Sequence, residues 1–166
     1  EKGGNIPDWF SNPDPIENTI LANGEGVSNS KRGATSKAKQ LIKADFQSKA
    51  KSIVSGRTED FFKETGEGAS SEVYSAFEEI TTSVMEGAVE NWFEIKSTTV
   101  VEKSVKADGT PYNVYRHYIL GGIDQAAADR QLLAKLKREK ELMPAFEQTK
   151  SYDKLLADLE RYKDKL

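Results

Sequence analysis

The chain contains no cysteine, which removes disulfides, thiol nucleophiles and zinc-thiolate sites from the possible chemistries. It has a single histidine, His117, so no histidine pair is available for a metal. Long hydrophobic runs are absent too. Apolar stretches extend for only a few residues, far short of the roughly 20 that carry a helix across a bilayer. Membrane association would have to come from an anchor outside these residues. An excess of positive charge is also missing. A net charge of -3 and a pI near 5.4 give no general attraction to nucleic acid, and no nucleic-acid partner is expected. There is no Gly-x-Ser-x-Gly elbow and no Gly-Lys-Ser/Thr phosphate loop. No catalytic residue, cofactor or metal ligand is assigned from the sequence. The opening at Glu1, without methionine or a signal-peptide pattern, reads as a processed or trimmed chain.

What is present suits a domain that can bury a core: 166 residues, 37% hydrophobic and 31% charged. Residues 1–17, beginning "EKGGNIPDWFSNPDP", read as an irregular arm whose Trp9 and Phe10 either dock on the body or anchor a neighbouring subunit. "NTILANGEGVSNS" alternates like a strand, and Gly24-Glu25-Gly26 suggests a bend or bulge before a helix. A phosphate cradle is the competing reading. It lacks the third glycine of a dinucleotide fingerprint.

From Ser30 the period changes. Ala34, Ala38, Leu41, Ile42, Phe46, Ala50, Ile53 and Val54 trace one stripe of a helix expected to end near Arg57. After "GEGASS" a second stripe, Val73, Phe77, Ile80, Val84, Ala88 and Trp92, follows an N-cap at Ser70 or Ser71. Charge separates between the two helices. Lys31, Arg32, Lys37, Lys39, Lys43, Lys49, Lys51 and Arg57 stand against one acid, Asp45, whereas from Glu59 to Glu94 acids dominate and Lys63 is the only base. Two solvated faces are one reading. The sharper one sets the basic face of one subunit against the acidic face of another.

"FEIKSTTVVEKSV" and "YNVYRHYIL", joined through Asp108-Gly109, predict a long antiparallel hairpin. On its return strand Asn113, Tyr115, His117 and Ile119 share a face. Nothing adjacent in sequence supplies His117 with a nucleophile or an orienting carboxylate, so it is read as a surface or interface residue rather than a catalyst. "DQAAADRQLLAKLKREKELM" predicts a helix capped by Asp124 and ending before Pro144. "SYDKLLADLERYKDKL" places Tyr152, Leu155, Leu156, Leu159 and Tyr162 or Lys163 on one narrow side of a short helix.

The expected fold is therefore α+β, a curved antiparallel sheet packed against a long helix in the order strand-helix-helix-strand-strand-helix, with a helical C-terminal arm. The arm of residues 1–17 is followed by a core of 18–124 and a helical extension of 125–166. "IPDWF", "ANGEGVS", the spaced Ala34 and Ala38 leading into Leu41, and "VYRHYILGGID" resemble the LPP-twenty lipoprotein family, small bacterial outer-membrane lipoproteins and related flagellum-associated proteins. The resemblance spans roughly Pro7 to Asp124. It implies an upstream signal peptide and lipidated cysteine, a sheet wrapped on a long helix, and no known catalytic residue. The chain departs from the family pattern in lacking that cysteine and in its long stretch after Gln125.

The combined expectation is a non-enzymatic envelope or cell-surface structural protein, in the outer membrane, periplasm or cell surface, acting as a homo-oligomer or on a larger assembly. A membrane tie would run through an upstream lipid anchor. A structural subunit of a secreted filament or viral particle is the alternative. A hydrolase or small-ligand-binding protein is a third class without a supporting motif. The candidate interface residues are Trp9, Phe10, Lys43, Lys51, Glu79, Glu86, Tyr152, Leu155 and Leu159.

Overall fold

The structure, a computed structural model, describes residues 6–163. The first five residues of the expected arm and the last three of the C-terminal extension lie outside the described residues. The elements run α1 (Asp8–Ser11), β1 (Thr19–Ser28), α2 (Lys31–Thr65), α3 (Ser71–Glu90), β2 (Phe93–Val105), β3 (Pro111–Asp124), α4 (Gln125–Leu136), α5 (Leu142–Glu147) and α6 (Lys150–Arg161). The mixed helix-and-sheet class and the long helix after the first strand are as expected from the sequence. The chain divides into two units, each built from two separate stretches: 1–47 with 92–123, and 48–91 with 124–166.

The first unit is an antiparallel sheet of order β1-β3-β2 with the first half of α2 packed on one face. The hairpin forms where the Asp108-Gly109 signal placed it. Gly109 adopts φ 91°, a left-handed conformation that glycine enters without steric cost. Its N–H donates to Lys106 O at 2.9 Å. Pairing sets Thr99 opposite His117 and Val105 opposite Pro111. Because side chains alternate across a strand, His117, Ile119 and Gly121 share the α2 face, where a Cβ on Gly121 would meet the Ile42 side chain. Tyr118 points to the opposite face and takes Phe10 edge-on at 4.9 Å. The arm thus docks on the body through Phe10. It includes a short helix, α1, where the sequence reads as irregular.

Two sequence expectations are corrected in this unit. Gly24 and Gly26 do not bend the chain, because β1 continues to Ser28. They are bare because α2 lies directly on them. A Cβ on Gly24 would sit 2.3 Å from Ala38 O, and one on Gly26 would sit 2.0 Å from Ala34 O. Two strand residues advance about 6.7 Å and four helix residues about 6 Å, so alternate residues of β1 meet successive turns of α2. His117 does not face outward. It is 8% exposed, because α2 covers its face of the central strand. Asp45, the one acid of the basic stretch, accepts from the backbone N–H of Asn23 at 3.1 Å and so gives an amide of edge strand β1 a partner.

The second unit is helical. Here α2 runs past Arg57 to Thr65 and stops at Gly66, whose φ of 54° is the left-handed turn that ends many helices. Its last apolar anchor, the buried Phe61, stacks on Phe77 of α3 at 4.3 Å, and Phe146 of α5 closes the cluster at 5.6 Å from Phe77. Ser70 caps α3 by accepting from Val73 N, and Asp124 caps α4 by accepting from Ala127 N. α4 ends at Leu136 rather than just before Pro144, which instead sits in the first turn of α5. A proline is tolerated there because its missing N–H would have had no helical acceptor. α4 packs on α3 and α6, so the C-terminal stretch is part of this unit's core. Arg57 on α2 reaches Asp129 on α4 at 2.6 Å, with the Asp129 side chain 3% exposed.

Candidate functional site

Lys31, Thr35, Lys39 and Lys43 recur every four residues and stand above one another on one side of α2. Arg32, Ser36 and Gln40 form the neighbouring row. With Trp92 these residues line an open groove of about 830 Å³ in the first unit. Four cations and no carboxylate line it, so its field is positive throughout. Ser30 starts the helix by accepting from Gly33 N at 3.0 Å, which places Lys31 and Arg32 in the first turn. Trp92 is half-buried, with its ring against Phe46 at 5.9 Å and against the bare backbone of Gly121. Lys37 lies off the groove and donates to Val27 O at 3.0 Å.

The opposite charge lies on α3 of the second unit. Its apolar stripe, Val73, Phe77, Val84 and Val89, is buried. The exposed stripe is Glu72, Ser75, Glu79, Ser83, Glu86 and Glu90, steps of three and four residues that keep it on one line of the helix. Serines between the carboxylates leave a low, narrow ridge. Ser83 Oγ accepts from Lys135 Nζ at 3.3 Å.

Of the residues expected at an interface, Lys43 lines the groove, and Glu79 and Glu86 stand on the ridge. Lys51 is exposed on α2 but belongs to the second unit, away from the groove lining. Trp9 and Phe10 are half-buried in an edge-to-face pair at 6.4 Å. Leu155 is 6% exposed and is core rather than interface. Tyr152 packs edge-on against Phe146 at 5.6 Å, and Leu159 is half-buried. Sequence reasoning missed Lys31, Arg32, Lys39 and Trp92 as a site. The four-residue spacing of the cations is readable in the sequence, but Trp92 falls on the apolar period of α3 and so reads as part of its core. It follows the end of that helix and packs in the first unit.

His117 lies on the face covered by the groove-bearing helix. Its Nδ1 is 2.7 Å from Thr99 Oγ1 on the paired strand. Burial pushes its pKa below the usual 6.5, Glu94 opposes this, and the positive charges of Lys31 and Lys39 add to the lowering. For a base depressed in the folded state, the unfolded chain takes up the proton first. Stability is then complete above about pH 6.5 and is lost as the pH falls from there through the folded pKa. The chain has one histidine, so its imidazole C2–H resonance is unambiguous. That resonance is expected to titrate below 6.5, and His117→Gln to flatten the loss of stability between neutral and mildly acidic pH. A midpoint at or above 6.5 would contradict this account.

On the other face of the sheet Arg116 bridges Glu25 at 3.1 Å and Glu102 at 3.3 Å, linking the central strand to both edges. Among the described residues no group of three histidine, aspartate or glutamate side chains could hold a metal ion, and no helix is long and apolar enough to cross a membrane. No family model, no curated protein and no solved structure matches the chain. The likeness to the LPP-twenty lipoproteins accordingly rests on the short motifs quoted above.

Proposed function

We propose that this chain is a non-catalytic structural protein of a cell envelope or cell surface, lipoprotein-like, that acts by self-assembly or by docking on a larger assembly. The observation that carries the reading is the separation of exposed charge. Four cations gather in one groove of the first unit, and four carboxylates line one ridge of the second. A net charge of only -3 hides this division. Opposite faces of this kind steer association and set its register, and salt weakens them by screening. The quoted motifs support the envelope setting through family likeness. In that setting a lipidated cysteine upstream of Glu1 would supply the membrane tie.

Sedimentation velocity of the purified chain is expected to show larger species at roughly 50 mM salt than at roughly 500 mM, where the screening length has shrunk to a few ångströms. A monomer at every salt and protein concentration would refute self-assembly. Gradient fractionation of the native source with intact-mass measurement tests the setting. A membrane fraction carrying acyl mass supports the lipoprotein reading, and an unacylated chain in a large particle replaces it with the particle-subunit alternative.

A further inference from the structure

We propose that the acidic ridge of α3 in one copy seats along the basic groove of α2 in a second copy. The inference rests on self-assembly and adds which surfaces meet and in what register. A helix rises about 1.5 Å per residue, so Lys39 and Lys43 lie about 12 and 18 Å along the axis from Lys31. On the ridge, Glu86 and Glu90 lie about 10.5 and 16.5 Å from Glu79. Lys31 and Lys39 therefore meet Glu79 and Glu86 with an axial mismatch of about 1.5 Å, which flexible lysine side chains absorb. The spaces between charges match as well. Thr35 stands four residues after Lys31 and Ser83 four after Glu79, so two small hydroxyl residues face each other, and the backbones approach once Lys135, which donates to Ser83 Oγ at 3.3 Å, turns aside.

The contact joins two different surfaces, so it is heterologous. The growing assembly keeps a free groove at one end and a free ridge at the other, and growth continues to a ring or a filament. Exposed ion pairs are individually weak, so the contact is salt-sensitive and draws on several pairs at once.

The absence of cysteine among these 166 residues makes the register testable in the chain itself. Thr35→Cys and Ser83→Cys variants, mixed at low salt under mild oxidation, are expected to give a disulfide-linked heterodimer. Thr35→Cys mixed with Ser75→Cys, about 12 Å out of register, is expected to give little. Lys39→Glu is expected to weaken association roughly tenfold or more, and so is Glu86→Lys. In the mixture the intact ridge of one variant meets the intact groove of the other, and the two reversed charges meet at the second contact, so mixing the variants is expected to restore the larger species that neither forms alone. If Thr35→Cys links no faster to Ser83→Cys than to Ser75→Cys while the native chain still associates, the ridge-in-groove register is wrong and self-assembly stands. If the native chain stays monomeric at low salt, both fall together.

Discussion

Gly26→Ala is expected to destabilise the sheet-and-helix unit by at least about 3 kcal/mol, the upper end of the usual range for forcing atoms into a filled space. The added Cβ would lie 2.0 Å from Ala34 O and 2.5 Å from Ala38 N. Both are backbone atoms of α2, so no side-chain rotation relieves the overlap, and the helix itself must lift from the strand. Lifting it uncovers the buried Ala22, Ile42 and Phe46 as well. For a chain of this size the midpoint of thermal unfolding should fall by roughly 6–12 °C. Gly87→Ala is the matched control. A Cβ there meets nothing within 4 Å, and the residue lies inside α3. Alanine is the better helix former, so that variant should gain roughly 0.5–1 kcal/mol. Circular dichroism of both variants during urea and thermal unfolding checks the pair. Equal stability of Gly26→Ala and the native chain would mean that α2 does not rest on β1 as described.

The second large effect is expected at Arg57. The Asp129 carboxylate is 3% exposed and Arg57 Nη2 is 2.6 Å away, so Arg57→Met leaves a buried charge without its counter-ion. Breaking such a pair from one side costs about 3–5 kcal/mol at neutral pH. Removing both partners should cost less than removing Arg57 alone, so Arg57→Met with Asp129→Asn is expected to recover part of the loss.

The pH dependence has a definite sign. Desolvation raises the Asp129 pKa above 3.8, while the charge of Arg57 and its hydrogen bond pull it down. Without Arg57 the pKa climbs further. The folded state then holds a proton that the unfolded chain has released. Stability falls as the pH rises through the folded pKa, and acidification returns it. Urea unfolding of Arg57→Met at neutral pH and again near pH 4–5 should therefore show a smaller deficit against the native chain in acid. A deficit independent of pH would show that the guanidinium stabilises by packing rather than by pairing.

Much of the architecture was legible in local chemistry. The stripe of α2 from Ala34 to Ala50, the Ser70 and Asp124 caps, and the Asp108-Gly109 turn with its two alternating flanks depend on neighbours in sequence, which is why periodicity and turn rules find them. α2 continues past Arg57 to Thr65, although the polar run after Arg57 looks like an exit. Gly66 was the true signal, and its left-handed φ of 54° is what glycine allows.

The sequence by itself determined the α+β class, the order of the main elements and the separation of basic from acidic helices, since each follows from residue type and spacing. Tertiary structure alone decided that Gly24 and Gly26 are seats for a helix, that His117 is covered, and that Leu155 is core. It also decided that Trp92 joins the α2 cations in a groove. These outcomes depend on which residue lies opposite another across more than ten positions of chain. Lys31 and Trp92, or Gly26 and Ala38, become neighbours only when the sheet and helix close on one another.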